Sequence, residues 1–266
     1  MSEQYSHGHH ESVLRAHTWR TAENSVGYLL PELRPGMTLL DIGCGPGTIT
    51  VDLAARLAPG HVHGVDSVAD VVEQAAAHAA AAGVENVTFG TANAYELEAE
   101  DGSYDVVHAH QLLQHLGRPV DALREFRRVA GPEGLVAARE VDYAGIIIHP
   151  HIPVLDEWLD ILLRMGRNNA GEPAAGRRLK SWAQQAGFTD IRLSASTWLF
   201  ETDAQREWWG GSWAERVLHS SYADHALEQG LADRSTLKRI SAGWREWIEA
   251  EDGWLLMPHG ELLARG

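Results

Sequence analysis

The run LLDIGCGPGT, Leu39 to Thr48, concentrates residues whose types and spacing suit cofactor chemistry. An apolar stretch ends in Asp41, and Gly43, Gly45 and Gly47 then fall two apart. A residue without a Cβ lets backbone touch a ligand or turn through positive φ. An acid closing such a strand lies at the carboxyl edge, where open α/β sheets bind ligands. Two phosphate-binding readings fit poorly. A P-loop needs Gly-Lys-Ser/Thr, and here Gly47 is followed by Thr48 with no lysine near. A dinucleotide loop needs G-x-G-x-x-G. Here the third glycine comes one residue early, and Asp41 would repel a pyrophosphate.

Fifteen histidines raise the question of a metal. His7, His9 and His10 cluster, and His61/His63, His108/His110 and His149/His151 are pairs two apart. Positions i and i+2 share one face of a strand, so pairs are geometrically feasible. No H-E-x-x-H, C-x-x-C or compact carboxylate set accompanies them, and no metal site is expected. His108 is expected to point into the sheet packing, with His110 at the strand's open end.

The elements that must hold these residues alternate. A helix is expected from Thr48 to Ala58, stopped by Pro59-Gly60. HVHGVDSV then reads as a second strand ending in Asp66, 23 positions after Gly43, near the spacing at which an acid reaches ribose hydroxyls. Ser67 is the expected N-cap of an alanine-rich helix running to Ala82, where Gly83 stops it. Val87 to Leu97 gives strand three and its loop, and Tyr104 to Leu116 gives strand four and the start of the next segment. Pro119 opens a helix in which Val120, Leu123, Phe126 and Val129 recur every three residues. GPEG turns into strand five, LVAARE. This rhythm implies an α/β fold with a parallel, doubly wound sheet. Helical stretches are also expected over Glu11 to Arg20, Thr21 to Leu33, 204–230 and 234–251. A last strand in WLLMPHGELLARG is expected to break at Pro258.

DIGCGPG resembles the first motif of the class I S-adenosylmethionine-dependent methyltransferases. The resemblance runs well over about residues 20–145 and fairly over Gly176 to Leu193, which is similar to the closing helix and strand of quinone-type and natural-product members. It implies a Rossmann-like, mostly parallel sheet whose last strand is antiparallel, in a single domain. A helical cap would occupy 1–36 and the cofactor core 37–145, with lid helices over 146–180 and 200–252. S-adenosylmethionine is the implied cofactor, its cationic sulfonium and ammonium suited to a nearby carboxylate such as Asp41. Gly43, Cys44, Gly45 and Gly47 would lie along it. Asp66, followed by Ser67, would hold the ribose, and Asn93 with Ala94 would meet the adenine. His110 and Gln111 would sit beside the methionine part. Arg20 could pair with the methionine carboxylate, or with Glu23 or Glu32 instead. Tyr5, His17 and Trp19 could also point inward.

The implied reaction is in-line displacement of the methyl group onto a small-molecule acceptor. HQLLQHL resembles the family's segment that ends in histidine and an apolar residue, and that resemblance would put His115 near the methyl group as first choice for a general base. His149 comes second with His151, beside Asp142 and Tyr143. Eight of ten tryptophans follow residue 180. They suggest either a wall for a flat aromatic or polycyclic acceptor or the packing or dimer surface of amphipathic helices. A quinone or polyketide C-methyltransferase, a cofactor-binding protein of this fold without methyl transfer, and an NAD-dependent oxidoreductase are the alternatives.

Composition narrows the partners. A formal charge of −15 opposes a nucleic-acid substrate, which needs a basic surface. Arg124, Arg127 and Arg128 read as one solvated helix face. No apolar run reaches the roughly 18 residues of a membrane span. The single cysteine, Cys44, permits no internal disulfide framework. The polar amino terminus gives a cytoplasmic protein as the expectation, with a homodimer left open.

Overall fold

The computed structural model describes residues 19–266. The expected helix from Glu11, and Tyr5, His7, His9, His10 and His17, lie outside the described residues. The stretch Thr21 to Leu33 is one short helix, α1 (Ala22–Val26), and then a 3-10 turn at Leu30–Glu32. Pro31 in that turn cannot continue an α-helical ladder.

β1 (Leu39–Ile42), β4 (Val106–His110) and β5 (Leu135–Val141) are buried at every residue. Strands covered on both faces need apolar residues at successive positions, not alternate ones. β2 (Val62–Asp66) and β3 (Val87–Thr91) extend the sheet on one side of β1, and β4 and β5 on the other, all parallel. The order is β3-β2-β1-β4-β5-β8-β6, with β7 paired to β8. Chain direction across the sheet reverses between β1 and β4, so their carboxyl ends frame a crevice. α2 (Thr48–Leu57), α3 (Ala69–Ala82) and α4 (Pro119–Ala130) are the crossovers. α4 buries Leu123, Phe126 and Val129, leaving Arg124 to pair with Asp121. Ser67 does not cap α3. The cap position is Val68, whose N–H donates to Asp66 Oδ1 at 3.2 Å.

β6 (Ile147–His149), β7 (Asp190–Phe200) and β8 (Trp254–Arg265) are antiparallel additions. β8 runs through Pro258 unbroken. Within an antiparallel strand a residue's N–H and C=O point to the same side. The Pro258 carbonyl accepts from Asp142 N–H, beyond the last residue of β5. The missing N–H therefore faces the gap between β5 and β6 and costs no ladder bond.

The remaining helices are α5 (Pro153–Asn168), α6 (Leu179–Ala186), α7 (Asp203–His219), α8 (Ser221–Glu228) and α9 (Arg234–Glu249). The expected helix over 204–230 is two, because Ser220 adopts an extended backbone and its hydroxyl accepts from Tyr222 N–H. α5, α7, α8 and α9 share a second apolar core. Trp158, Trp213, Trp244 and Trp247 are fully buried there, with Trp158 edge-on to both Trp213 and Trp244 at 4.8 Å. Most of the tail's tryptophans are packing residues. No helix among the described residues is long and apolar enough to cross a membrane.

Candidate active site

A cavity of about 880 Å³ opens over the carboxyl ends of β1 and β4, between the sheet and the cap, the layer of helices α5, α7, α8 and α9, with α7 forming its wall. Its floor begins at Asp41, only 3% exposed. Asp41 Oδ1 accepts from His108 Nδ1 at 2.7 Å, and Oδ2 from the Thr50 hydroxyl at 2.5 Å. Both oxygens are thus engaged within the protein. Asp41 acts on the cavity through its charge and by fixing the first turns of α2. Buried His108 is part of the sheet packing, as its position in β4 implies.

The loop after β1 turns through three left-handed glycines: Gly43 (φ 73°), Gly45 (φ 55°) and Gly47 (φ 80°). Gly43, Cys44 and Gly45 line the cavity. Gly47 does not. A Cβ there would lie 2.8 Å from Ala75 Cβ, so this glycine serves the approach of α3 to α2 and not a ligand. Burial, with Asp41 and Asp66 nearby, raises the Cys44 thiol pKa, so it stays protonated. Asp66 Oδ2 accepts from Gly45 N–H at 3.1 Å, which ties the loop after β2 to the loop after β1. Ser67, Asn93 and Ala94 complete this wall. Asn93 Oδ1 accepts from Tyr95 N–H, leaving its amide nitrogen turned outward from that bond.

At the other side stand His110 and Gln111. Gln111 is a non-glycine residue at φ 52°, a strained conformation that the surroundings must enforce. Its side-chain carbonyl accepts from Arg20 Nη2 at 2.9 Å and its amide reaches His259 Nε2 at 2.9 Å. His259 Nδ1 contacts Met257 O at 3.1 Å, which fixes the proton on Nδ1. Glu23 pairs with Arg56 and Glu32 with Arg192, so neither is the partner of Arg20. His110 is 6% exposed and neither ring nitrogen has a hydrogen-bond partner among the described residues. Burial, then Arg20, Arg139 and His259, hold its pKa well below the usual value. A buried polar group without a partner is costly, and this one borders the cavity.

His115 also lines the cavity, on the 3-10 turn Leu113–His115. Glu140 holds that turn by accepting from Leu112, Leu113 and Gln114 N–H at 2.9, 2.7 and 3.2 Å. Burial raises Glu140 to a pKa of about 8, against the pull of those three donors. Sequence reading missed Glu140. The signal was an acid, next to Arg139, near the end of a strand whose other residues are apolar. His149 is a correction. It ends β6 on the surface, with Nε2 3.0 Å from Asp252 and its ring stacked on Trp254, away from the cavity lining. His151 likewise pairs with Asp156 in solvent. The register of β6 against β8 carries this stretch outward.

Tyr143, Trp198, Trp208, Trp209, Met257 and Arg216 wall the cap side. Trp198, Trp208 and Trp209 are the tryptophans that reach the cavity. Arg216 was also missed, although Trp209, Trp213 and Arg216 are spaced four and three apart on one face of α7. Among the described residues no three His, Cys, Asp or Glu side chains gather as a metal site.

The methyltransferase-domain family profile matches residues 33–187, more than half of the chain. An uncharacterised methyltransferase of Schizosaccharomyces pombe is 32% identical over 97% of this chain and 95% of its own length. A demethylmenaquinone methyltransferase of Lactococcus lactis is 31% identical over 48% of this chain and 49% of its own. Among solved structures, phosphoethanolamine N-methyltransferase 2 of Haemonchus contortus, in complex with S-adenosylhomocysteine, shares the fold. Its TM-score is 0.55 at 19% identity, over 90% of this chain and 51% of that one. The chain belongs to the class I S-adenosylmethionine-dependent methyltransferases, with S-adenosylmethionine as its cofactor. The NAD-dependent reading falls with that finding.

Proposed function

We propose that this enzyme methylates a flat, aromatic small molecule seated between the cofactor loops and the cap. One observation carries the reading. A single cavity is lined on one side by Gly43, Gly45 and Asp66 and on the other by Trp198, Trp208 and Trp209. The lining fits the cofactor: left-handed glycines bare their backbone, and Asp66 is an acceptor at the second strand's carboxyl end. S-adenosylmethionine supplies an already activated methyl group on a positive sulfur. Asp66 would accept from the ribose hydroxyls, with Ser67 beside it. Asn93 and Ala94 would face the adenine. Arg20, held by Gln111, would meet the methionine carboxylate, since an arginine fork suits a carboxylate. Asp41 contributes negative charge beneath the loop.

The chain's remaining task is to align the acceptor and exclude water. Orientation alone supplies about 7 to 11 kcal/mol in favourable cases. His115 and His110 border the same space as proton acceptors. Burial and the Arg20 charge lower His115 to a pKa of about 3, so it is neutral near pH 7 and a weak base. Alignment therefore carries more of the rate than proton removal. The name of the Lactococcus relative, a demethylmenaquinone methyltransferase, supports a quinone-like ring as acceptor class.

The test uses the chain saturated with S-adenosylhomocysteine and follows tryptophan emission while naphthalene-sized aromatics or aliphatic acids are added. Saturable quenching by the aromatics alone is expected, and it should shrink in Trp208→Leu. Quenching by the aliphatic acids alone would overturn the aromatic reading.

A further inference from the structure

Tyr143 opens the 3-10 turn Tyr143–Gly145, just past the carboxyl end of β5, and lines the cavity. The backbone around it is pinned from several sides. Asp142 N–H donates to the Pro258 carbonyl at 2.9 Å, and Tyr143 N–H donates to the Pro173 carbonyl at 3.0 Å. The Asp142 carboxylate accepts from Arg177 Nε and Nη2 at 2.6 and 2.8 Å. A side chain held this way has little further freedom to lose when a ligand meets it.

Tyr143, Gln114 and His115 border both the main cavity and a void of about 20 Å³, whose other walls are Leu162, Met165, Gly166 and Pro173. Such a void has room for about one water. A ligand that reaches Tyr143 has therefore come to the end of the usable space on that side. Several polar atoms of this half are already engaged or sealed. Trp198 Nε1 donates to the Asn24 carbonyl at 2.8 Å, and the Gln111 side chain is bonded at both ends. Trp209 Nε1 is sealed within the wall. The Tyr143 hydroxyl carries neither restriction: it is not sealed, and no hydrogen bond among the described residues engages it. Burial raises its pKa, against the charges of Arg216 and Arg20, so it keeps its proton near pH 7. A neutral phenol donates one hydrogen bond and can accept others.

We propose that Tyr143 is a specificity residue that selects a ring-oxygenated acceptor, its O–H donating to a hydroxyl or carbonyl oxygen on the aromatic ring. The ring lies on the Trp208 and Trp209 side, and its oxygen points to the end of the cavity beyond β5. Pockets of this kind use a few polar groups to orient a mostly apolar ligand. A site built around such a bond rejects the analogue that lacks the oxygen. This rests on the proposed function, because it takes the tryptophan-lined half to be the acceptor's place.

The experiment is calorimetric titration of the full chain, loaded with S-adenosylhomocysteine, at pH 7. The probes are 2-naphthol and 2-methylnaphthalene, which carry a hydroxyl or a methyl at the same position. The expected result is about tenfold or more tighter binding of 2-naphthol, the scale of one hydrogen bond made or left unmade. Tyr143→Phe, which removes one oxygen, should erase that preference and leave the affinity for S-adenosylhomocysteine unchanged. Equal affinity for the two probes in the unaltered chain would overturn the assignment, and so would a preference that survives Tyr143→Phe. Weakened S-adenosylhomocysteine binding by a folded Tyr143→Phe chain would put the phenol on the cofactor and overturn it as well. Tyr143→Leu serves the same comparison should the phenylalanine variant not fold. Failure of both probes to bind the loaded chain would contradict the aromatic reading in the proposed function and this assignment with it, whereas equal binding of both leaves that reading standing.

Discussion

His115 shows how the cavity sets the chemistry of a single side chain. Burial, then the Arg20 charge, lower its pKa to about 3. In the unfolded chain a histidine takes up its proton near pH 6.5. Between those values the unfolded state holds the extra proton, so stability rises with pH across that window and is lost as pH falls from about 6.5 toward 3. His110 and His259 are shifted in the same direction, chiefly by burial. His115→Gln should therefore flatten the acid side of a plot of melting temperature against pH, between pH 7 and 5. An unchanged slope would show that the His115 ring is not held neutral. At this scale the sequence was legible where a residue type has one backbone job. Asp66 and Gly45 could be placed because a strand ending in acid and a Gly-rich turn leave few alternatives. Gly47 could not, since its need for glycine arises from Ala75, 28 positions later. His149 was misplaced because the strand that carries it outward forms only against β8, near the other end of the chain.

Two glycines of similar φ separate strain from packing among the elements. Gly83, at φ 67°, closes α3 with nothing within 4 Å of a built Cβ. Gly47, at φ 80°, opens α2 with Ala75 and Phe89 in the way. Gly83→Ala should cost about 1 kcal/mol, the left-handed penalty alone. Gly47→Ala should cost about 2 to 5 kcal/mol, adding overpacking to that penalty. Urea melts of both variants check this, and equal losses would contradict the packing role. β1, β4 and β5 were readable because strands buried on both faces make continuous apolar runs, whereas β2 and β3, partly exposed, were readable from the helices and glycine stops that alternate with them. The last third was less so. Pro258 marks a strand end in isolation, yet it is tolerated where β8 passes from β5 to β6. Ser220 divides a tryptophan-rich helical stretch that periodicity alone runs together. Trp213 and Trp244 read in sequence as either a ligand wall or a packing surface, and in space they are core, with Trp158 edge-on to both.

The described residues form three apolar cores, two against the sheet and one shared by α5, α7, α8 and α9, and the strand order reverses between β1 and β4. The cavity lies over that reversal point, with the loops after β1, β2 and β3 on one side and Trp198 of β7 and Trp208 and Trp209 of α7 on the other. The whole chain carries a formal charge of −15, which opposes binding to a phosphate backbone. The most direct test of cofactor placement is calorimetric titration of the cofactor-free chain with S-adenosylhomocysteine, beside NAD and beside Asp66→Ala. Saturable binding of S-adenosylhomocysteine and none of NAD is the predicted result. Affinity should fall by about 10- to 100-fold in Asp66→Ala, the loss expected for hydrogen bonds to a charged acceptor. Undiminished binding in Asp66→Ala, or no binding to the unaltered chain, would contradict the placement of the cofactor in this cavity.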